Sequence, residues 1–229
     1  MYKGLEPNGG VCMRRFEYGW IQSLSLDMDI LSLIAGIYRA NGKEEVLLSQ
    51  SPAILDSLVE LAKVQSTEAS NAIEGIVTTS TRLRQLVADK TTPRNRDEQE
   101  IMGYRDALNV IHESYDSISL CRNHILQLHK ILYNYQFNAR GGQLKSVQNY
   151  ISATYPDGQT EVLFTPLAPY ETAEALDQIC AEYNRVVGNG EVEPLLAIPI
   201  FIHDFLCIHP FNDGNGRMSR LLTTLLLYR

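Results

Sequence analysis

The sequence has 229 residues, enough for one good-sized domain with a real hydrophobic core, so no disulfide scaffold is needed. Its net charge is -7 and its isoelectric point is about 5.3, which argues against a surface that grips nucleic acid as a whole. The four cysteines are scattered and form no CxxC pair, so the sequence contains neither a zinc knuckle nor a thioredoxin-type redox motif.

The sequence also lacks an obvious targeting or membrane-spanning segment. Its start, MYKGLEPNGGVCMRRF, has no basic region followed by an uninterrupted apolar run, so we expect no secretory signal and a cytoplasmic protein. The longest apolar run, LLAIPIFIHDFLCI, is interrupted by His203 and Asp204 and is shorter than the ~20 residues of a membrane span. We therefore expect a buried helix there.

Apolar residues recur at spacings of three and four along most of the chain, the pattern of amphipathic helices packed on a core. Pro93 and its charged neighbours break the pattern, and Pro194 suits the first turn of a helix. The last helix, RMSRLLTTLLLYR, ends without a polar cap or a breaker, which indicates a piece of a longer chain. The pattern predicts helices over 24–39, 53–72, 98–114, 122–133 and 170–187, from Pro194, and in the final residues.

One region departs from the helical pattern. In QLKSVQNYISATYPDGQTEVLFTP, two runs rich in Val, Tyr, Ile, Phe and Thr flank the turn signal Pro156, Asp157 and Gly158. This pattern predicts a β-hairpin over 147–166, so the expected fold class is mainly α with one small hairpin.

Between the last two predicted helices stands HPFNDGNGRMSR, residues 209–220. Gly214 and Gly216 would let the backbone approach a ligand closely, and the helix that starts there would direct unpaired amides at an anion. Arg217 and Arg220, three residues apart on that helix, could hold further phosphate oxygens. The stretch therefore predicts a phosphate cradle.

Two more residues of this stretch suit chemistry on a phosphate. Asp213 could hold a magnesium ion, which binds hard oxygens and bridges phosphates, and His209 could take a proton from an incoming hydroxyl. Each residue alone also has an ordinary interpretation, as a packed histidine or a simple turn. Together, an acid, a base, two glycines and two arginines in twelve residues favour a polyphosphate site.

HPFNDGNGRMSR resembles the signature of the Fic family, HxFxDGNGRxxR, with every fixed position filled. Upstream, SNAIEGI at residues 70–76 is similar to the (S/T)xxxE(G/N) inhibitory motif of the subclass whose inhibitory helix precedes the Fic core. The resemblance spans about residues 50–229. It implies a Fic-type helical bundle with an N-terminal helical region at 1–95 and a Fic core domain at 96–229.

The resemblance further implies a protein adenylyltransferase that moves AMP from ATP to a protein hydroxyl with the help of Mg²⁺. The protein substrate would dock on the hairpin 147–166, the flap of the family, by adding a strand. A plain structural hairpin is the alternative interpretation of the pattern. The implied roles are general base for His209, metal ligand for Asp213, anion hole for Gly214, Asn215 and Gly216, and β- and γ-phosphate binding for Arg217 and Arg220.

The inhibitory motif implies that Glu74, at the end of a helix over about 56–75, pairs with Arg220 and withdraws it from the γ-phosphate. Ser70 would brace the end of that helix, although an ordinary exposed serine is equally compatible with the sequence. Related proteins can also use this glutamate to remove AMP from a modified target. The sequence does not indicate the balance between addition and removal of AMP.

Two rival activities and one departure from the family pattern also bear on the function. Lys145 stands where many Fic proteins carry arginine, so the role of its side chain is in doubt.

The first rival activity is that of the Doc branch, which transfers phosphate instead of AMP and tends to carry lysine where this chain has Gly216. The second rival is a nucleotide-binding regulatory module without catalysis. A homodimer and a DNA-binding domain after residue 229 are compatible with the sequence, while this segment itself is expected to bind neither nucleic acid nor membrane.

Overall fold

The computed structural model describes residues 16–50, 52–136 and 141–229. Within these residues the fold is mainly helical with a single two-stranded hairpin, which confirms the predicted fold class. In the same residues no helix is both long and apolar enough to cross a bilayer. The elements are α1 (Met28–Gln50), α2 (Pro52–Ile73), α3 (Ser80–Val87), α4 (Arg96–Ser114), α5 (Arg122–Leu132), β1 (Ile151–Thr154), β2 (Thr160–Phe164), α6 (Pro169–Gly188), α7 (Pro194–Ile208) and α8 (Asn215–Tyr228).

The helix boundaries follow local capping chemistry. Helix α1 begins four residues later than predicted because the Asp27 carboxylate accepts the Ile30 N–H at 2.8 Å, a capping contact that sets the first turn. Helix α4 begins after Asn95, whose side chain accepts the Glu98 N–H. From α4 onwards the helices agree with the predicted ranges to within two residues.

Helix α3 was not predicted, and it lies between the end of α2 and the start of α4. A buried ion pair joins it to α4, with Arg82 Nε 2.8 Å from Glu98 Oε1. A small hydrophobic core, which we call the minor core, lies beneath it and is separate from the main core. Its buried members are Leu83, Leu86, Val87, Ile101 and Met102.

The main core lies among α4 to α8 and includes the phenylalanines of α7 and of the loop that follows it. Helices α4 and α5 cross at Gly103, where an added Cβ would lie 1.9 Å from the Leu132 carbonyl oxygen. Only glycine therefore permits this crossing. Because α4 also contacts α2 and α8, it sets the distance between the N-terminal helices and the last helix.

The predicted hairpin is present and shorter than the 147–166 range. Strands β1 and β2 pair antiparallel with Ser152 opposite Val162 and Thr154 opposite Thr160, and the ladder is irregular next to Ile151. Gly158 supplies the positive φ of 82° that the connecting turn requires. Both strands are almost wholly exposed, so the hairpin projects from the helical body.

Candidate active site

The loop between α7 and α8 brings the predicted site residues together. Helix α7 ends at Ile208, and His209 follows in a left-handed conformation with φ 51° and ψ 63°. Gly214 closes the loop with φ 82° and ψ 8°, and α8 begins at Asn215. Both bends are tight, and the second needs glycine because a Cβ on Gly214 would lie 2.9 Å from the Tyr133 hydroxyl.

Asn215 holds the loop closed from within. Its side chain accepts the Phe211 N–H at 2.9 Å and donates to the Phe211 carbonyl at 2.8 Å, and the residue is 2% exposed. These bonds occupy the side-chain amide. Asn215 can therefore contribute only its backbone N–H to an anion.

The start of α8 offers the backbone donors expected of an anion site. The first backbone hydrogen bond of α8 runs from the Met218 N–H to the Gly214 carbonyl at 2.9 Å. The N–H groups of residues 215–217 come before it and have no acceptor within the helix. Donors in this position, together with the helix dipole, attract negative charge. The start of α8 therefore supplies the backbone donors that the predicted phosphate cradle at Gly214 and Gly216 requires.

A carboxylate already lies at this helix end. A Cβ built on Gly216 would be 2.5 Å from Glu74 Oε1, so Glu74 reaches the first turn of α8 from the end of α2. Glu74 lies there because α2 ends at Ile73 and the chain turns sharply at Gly75, with φ 76° and an Ile76 N–H bond to the Asn71 carbonyl. A side chain at position 216 would collide with this carboxylate.

Arg220 joins the same cluster. Its Nη2 donates to Glu74 Oε1 at 2.6 Å, and its Nε donates to Ser70 Oγ at 2.7 Å. Its Nη2 also reaches the Ser70 carbonyl at 3.0 Å. Ser70 is 3% exposed, so it is a buried partner of Arg220 rather than an ordinary surface serine.

Arg217 faces inward, unlike Arg220. It is 2% exposed, its Nη1 lies 2.8 Å from Glu100 Oε2, and its Nη2 donates to the Tyr133 hydroxyl at 3.0 Å. Burial raises the pKa of Tyr133, so its hydroxyl stays neutral and accepts this bond. The guanidinium of Arg217 is thus engaged beneath the loop.

Asp213 is the acidic residue of the loop itself, directly before Gly214, and its side chain is 63% exposed. One carboxylate oxygen accepts the Gly214 N–H at 2.8 Å, and the other lies 3.8 Å from Arg217 Nη2. No cluster of three or more His, Cys, Asp or Glu suited to a metal occurs in the described ranges. A single exposed carboxylate fits Mg²⁺, which keeps several waters and binds substrate phosphates beside one or two carboxylates.

His209 is half-buried at the start of the loop. Burial lowers the pKa of its imidazole, and the nearby positive charge of Lys145 acts in the same direction, while the Leu206 carbonyl and Asp213 oppose the shift. A lowered pKa leaves the ring neutral at pH 7. The neutral form is the one that can accept a proton.

Sequence reasoning missed His129, which supports the loop from α5. Its ring stacks on Phe211 with centroids 3.7 Å apart, its Nδ1 accepts the Gly142 N–H at 2.9 Å, and its Nε2 lies 3.1 Å from the Asp213 carbonyl oxygen. The first bond makes Nε2 the protonated nitrogen, which donates to Asp213. Burial lowers the pKa of His129 to about 4, which keeps this neutral form.

Sequence reasoning also missed the contacts of Lys145 and Asn149. Lys145 is 3% exposed, and its ammonium donates to the Ile208 carbonyl at 2.9 Å, the last residue of α7. Asn149 donates to the Phe211 carbonyl at 3.0 Å. Both residues precede β1, and no local pattern in the sequence distinguishes them from ordinary loop residues.

Part of the chain is similar to known proteins. Residues 119–227 match the Fic/DOC family. "Protein adenylyltransferase fic-1" of Caenorhabditis elegans is 26% identical over 139 residues, covering 58% of this chain and 25% of that protein. "Protein adenylyltransferase Fic" of Nematostella vectensis is 26% identical over 168 residues, covering 70% of this chain and 36% of that protein. This chain therefore spans a quarter to about a third of the length of these relatives.

A crystal structure of a Fic domain containing signaling protein from Bacteroides thetaiotaomicron superposes with a TM-score of 0.72. The two are 24% identical, and the match covers 84% of this chain and 72% of that one. At this identity the superposition supports the fold alone. With the complete loop motif and the match over residues 119–227, the chain contains a domain of the Fic/DOC family.

Proposed function

We propose that this chain is a protein adenylyltransferase that transfers AMP from ATP to a hydroxyl of another protein and that Glu74 restrains it. The observation that carries the proposal is the position of the Glu74 carboxylate, 2.6 Å from Arg220 and against the first turn of α8. An anion from another part of the chain thus lies where a phosphate would be expected. The names of the relatives, protein adenylyltransferases, agree with this choice.

In the proposed reaction the acceptor hydroxyl attacks the α-phosphorus of ATP. A bond forms between the hydroxyl oxygen and that phosphorus, the bond to the bridging oxygen of the β-phosphate breaks, and pyrophosphate leaves with the electron pair. His209 takes the hydroxyl proton, for which its neutral ring is suited. Nucleotidyl transfer otherwise depends mainly on position and on neutralisation of phosphate charge.

We assign the α- and β-phosphates to the loop at Gly214, Asn215 and Gly216. Because the Gly214 N–H donates to Asp213, the N–H groups of Asn215 and Gly216 are the donors for the phosphates, and Gly214 contributes the turn that directs them. Arg220 is the residue for the γ-phosphate, because its guanidinium is partly exposed and reaches the same helix end. Arg217 remains a candidate for the β-phosphate. Because its guanidinium is engaged with Glu100, we expect it to act through its backbone N–H and its charge beneath the loop.

Magnesium is part of this proposal, with Asp213 as its protein ligand. The Asp213 side chain is largely exposed and directly precedes Gly214, and water and phosphate oxygens would complete the coordination. When bound, the ion would offset phosphate charge. Asp213 also accepts the Gly214 N–H, so it fixes the loop and the proposed metal position together.

We assign restraint to the N-terminal region, residues 1–95, and catalysis to residues 96–229. Glu74 holds Arg220 away from a γ-phosphate and places negative charge where the phosphate tail would lie. Ser70 holds the rest of the same guanidinium. Gly216 allows this arrangement because it has no side chain, which also favours AMP transfer over the lysine-bearing Doc branch.

The acceptor protein is expected to dock on the hairpin. Strands β1 and β2 form a two-stranded sheet, so each has an outer edge with backbone groups suited to an added strand. Val162 and Leu163 are exposed and offer apolar contacts to such a segment. Backbone pairing would tolerate different acceptor sequences.

The position of the label in ATP tests the proposed reaction. The Glu74→Gly chain is incubated with lysate proteins and Mg²⁺, and with ATP labelled at either the α- or the γ-phosphate. We expect protein labelling from α-labelled ATP only. Labelling from γ-labelled ATP alone would assign the Doc-type reaction, and binding of ATP without labelling would assign a regulatory module.

A further inference from the structure

The backbone around His209 is held by one short segment, Lys145 to Asn149. Four successive carbonyl oxygens, those of residues 208 to 211, accept hydrogen bonds from these two residues. The peptide units on both sides of His209 therefore each accept a hydrogen bond from this one segment, in addition to the bond from the His209 N–H to the Phe205 carbonyl at 2.9 Å. The bonds are Lys145 Nζ to Ile208 O (2.9 Å), Asn149 Nδ2 to His209 O (3.4 Å), Lys145 N to Pro210 O (2.8 Å) and Asn149 Nδ2 to Phe211 O (3.0 Å).

The two side chains also orient each other. Lys145 Nζ donates to Asn149 Oδ1 at 3.0 Å, so the opposite side of the amide, Nδ2, faces the loop. A lysine ammonium can only donate, and this requirement fixes which way the amide points. The orientation of Asn149 thus depends on Lys145.

Burial of Lys145 is unfavourable for its positive charge. Lys145 is 3% exposed, and among the described residues no ion pair joins it to a carboxylate. Its oxygen partners are neutral, and burial lowers the pKa of its ammonium to about 8, although Glu171 opposes the shift. The last carbonyl of α7 carries part of the negative end of the helix dipole, which stabilises the cation.

His209 has a backbone that needs such support. Its φ of 51° lies in the left-handed region, which residues other than glycine seldom adopt. A conformation of this kind persists where the surrounding structure holds it in place. The direction of the imidazole depends on this bend, because the side chain leaves the backbone at that residue.

We propose that Lys145 and Asn149 are positioning residues that hold the His209 imidazole in line with the acceptor hydroxyl. In this proposal they act through the carbonyls of residues 208–211 and not by binding nucleotide or acceptor. The inference rests on the proposed role of His209 as general base. It predicts a loss of turnover at unchanged nucleotide affinity, which a general weakening of the fold would not give.

The test compares three variants in the full Glu74→Gly chain: Lys145→Met, Lys145→Arg and Asn149→Ala. A matched control is Asn184→Ala, because Asn184 Nδ2 also donates to a backbone carbonyl, that of Leu120, at 2.8 Å and away from the loop. Label transfer from α-labelled ATP to lysate proteins gives the rate at saturating ATP. Calorimetry gives the Kd for ATP with Mg²⁺, and thermal unfolding gives the Tm.

We expect Lys145→Met and Asn149→Ala to lower the saturated rate by about tenfold to a hundredfold, since misplacement by 1 Å can cost on the order of 10²-fold. Their Kd for ATP should stay within about twofold of the parent, and Lys145→Arg should recover most of the rate. An unchanged rate in both variants would overturn the proposal, as would failure of arginine to rescue. So would a loss of ATP affinity that parallels the loss of rate. If Lys145→Met does not fold, the saturated rate and the Kd of Asn149→Ala alone decide whether the proposal stands.

A second readout separates this inference from the proposed function. The imidazole of His209 is titrated by NMR and identified by its absence in His209→Ala. Lys145 and Asp213 are the charged groups that act on this ring, so loss of the Lys145 charge should raise the pKa of His209, whereas Lys145→Arg should not. Absence of label transfer by the Glu74→Gly chain would refute the proposed function. Asn149→Ala removes no charge, so a changed ring chemical shift of His209 in that variant reports a change in the position of the ring. An unchanged His209 ring signal in both Lys145→Met and Asn149→Ala would refute the positioning role, whether or not label is transferred.

Discussion

The Glu74 carboxylate lies 2.6 Å from the Arg220 guanidinium, although 146 positions separate the two residues in the sequence. Both side chains keep part of their surface exposed, at 36% and 28%. The pair therefore remains accessible to a competing anion, and its geometry suits a contact that a phosphate can replace.

Replacement of Glu74 should release the proposed activity. We predict that Glu74→Gly raises AMP incorporation at least tenfold, because Arg220 becomes free for the γ-phosphate and a negative charge leaves the anion site. Adding Arg220→Ala should lower incorporation again. The assay is label transfer from α-labelled ATP at saturating Mg²⁺. Glu60→Gln, an exposed change on the same helix, is the control, and equal incorporation by the parent and Glu74→Gly would refute the restraint.

His209 should set the acid limb of the pH profile. Its neutral form is the base, and burial lowers its pKa below the ordinary 6.5, so the saturated rate of the Glu74→Gly chain should fall only below pH 6.5. His209→Ala should lower the rate by about 10²- to 10⁴-fold while ATP still binds. Partly exposed His124 provides the control variant His124→Ala. Near-parental turnover in folded His209→Ala would remove this residue from the mechanism.

His129 should make stability depend on pH. Its pKa is about 4 in the folded protein and 6.5 when unperturbed, so the unfolded chain binds the extra proton between these values. Stability is thus complete above pH 6.5 and falls as pH drops towards 4, by about 3 kcal/mol from this residue. Urea unfolding at pH 7 and 4.5 should show a smaller difference in His129→Gln. An equal difference in both proteins would contradict the buried neutral state.

Gly103 should be intolerant of a side chain. Gly103→Ala places a Cβ against the Leu132 carbonyl at the α4 and α5 crossing, and such overpacking costs about 1–3 kcal/mol. Gly36→Ala is the matched control because nothing lies within 4 Å of its added Cβ, and alanine favours helix there. Thermal unfolding should give a lower Tm for the first change and an equal or higher Tm for the second.

The sequence predicted most of the fold because long amphipathic helices carry a strong periodic signal. It did not predict α3, since a helix of eight residues is too short for a repeated pattern and depends on the buried pair Arg82 and Glu98. The motif residues were found because they are adjacent in the sequence. His129 and Asn149 were not, because their roles come from contacts across 84 and 62 positions.

Arg217 illustrates a different limit. The two motif arginines look equivalent in the sequence, three residues apart on one helix. Only the packing of α8 against α4 separates them, because it turns Arg217 towards Glu100 and leaves Arg220 towards α2. Residue type and spacing therefore identified the cluster but not the direction of each side chain.

The minor core has a consequence for how the restraint can be relieved. Helix α3 and the end of α2 rest on a few apolar residues separate from the main core, so we expect this part to open as an independent cooperative unit. Its opening free energy would then fix the fraction of molecules that are active at any moment, without unfolding of the catalytic helices. Hydrogen exchange should be faster at Leu83 and Leu86 than at Leu221 and Leu222, and equal protection would argue against separate opening. The strength of inhibition would then be a property of the few apolar side chains under α3, adjustable by substitutions that never touch the active site.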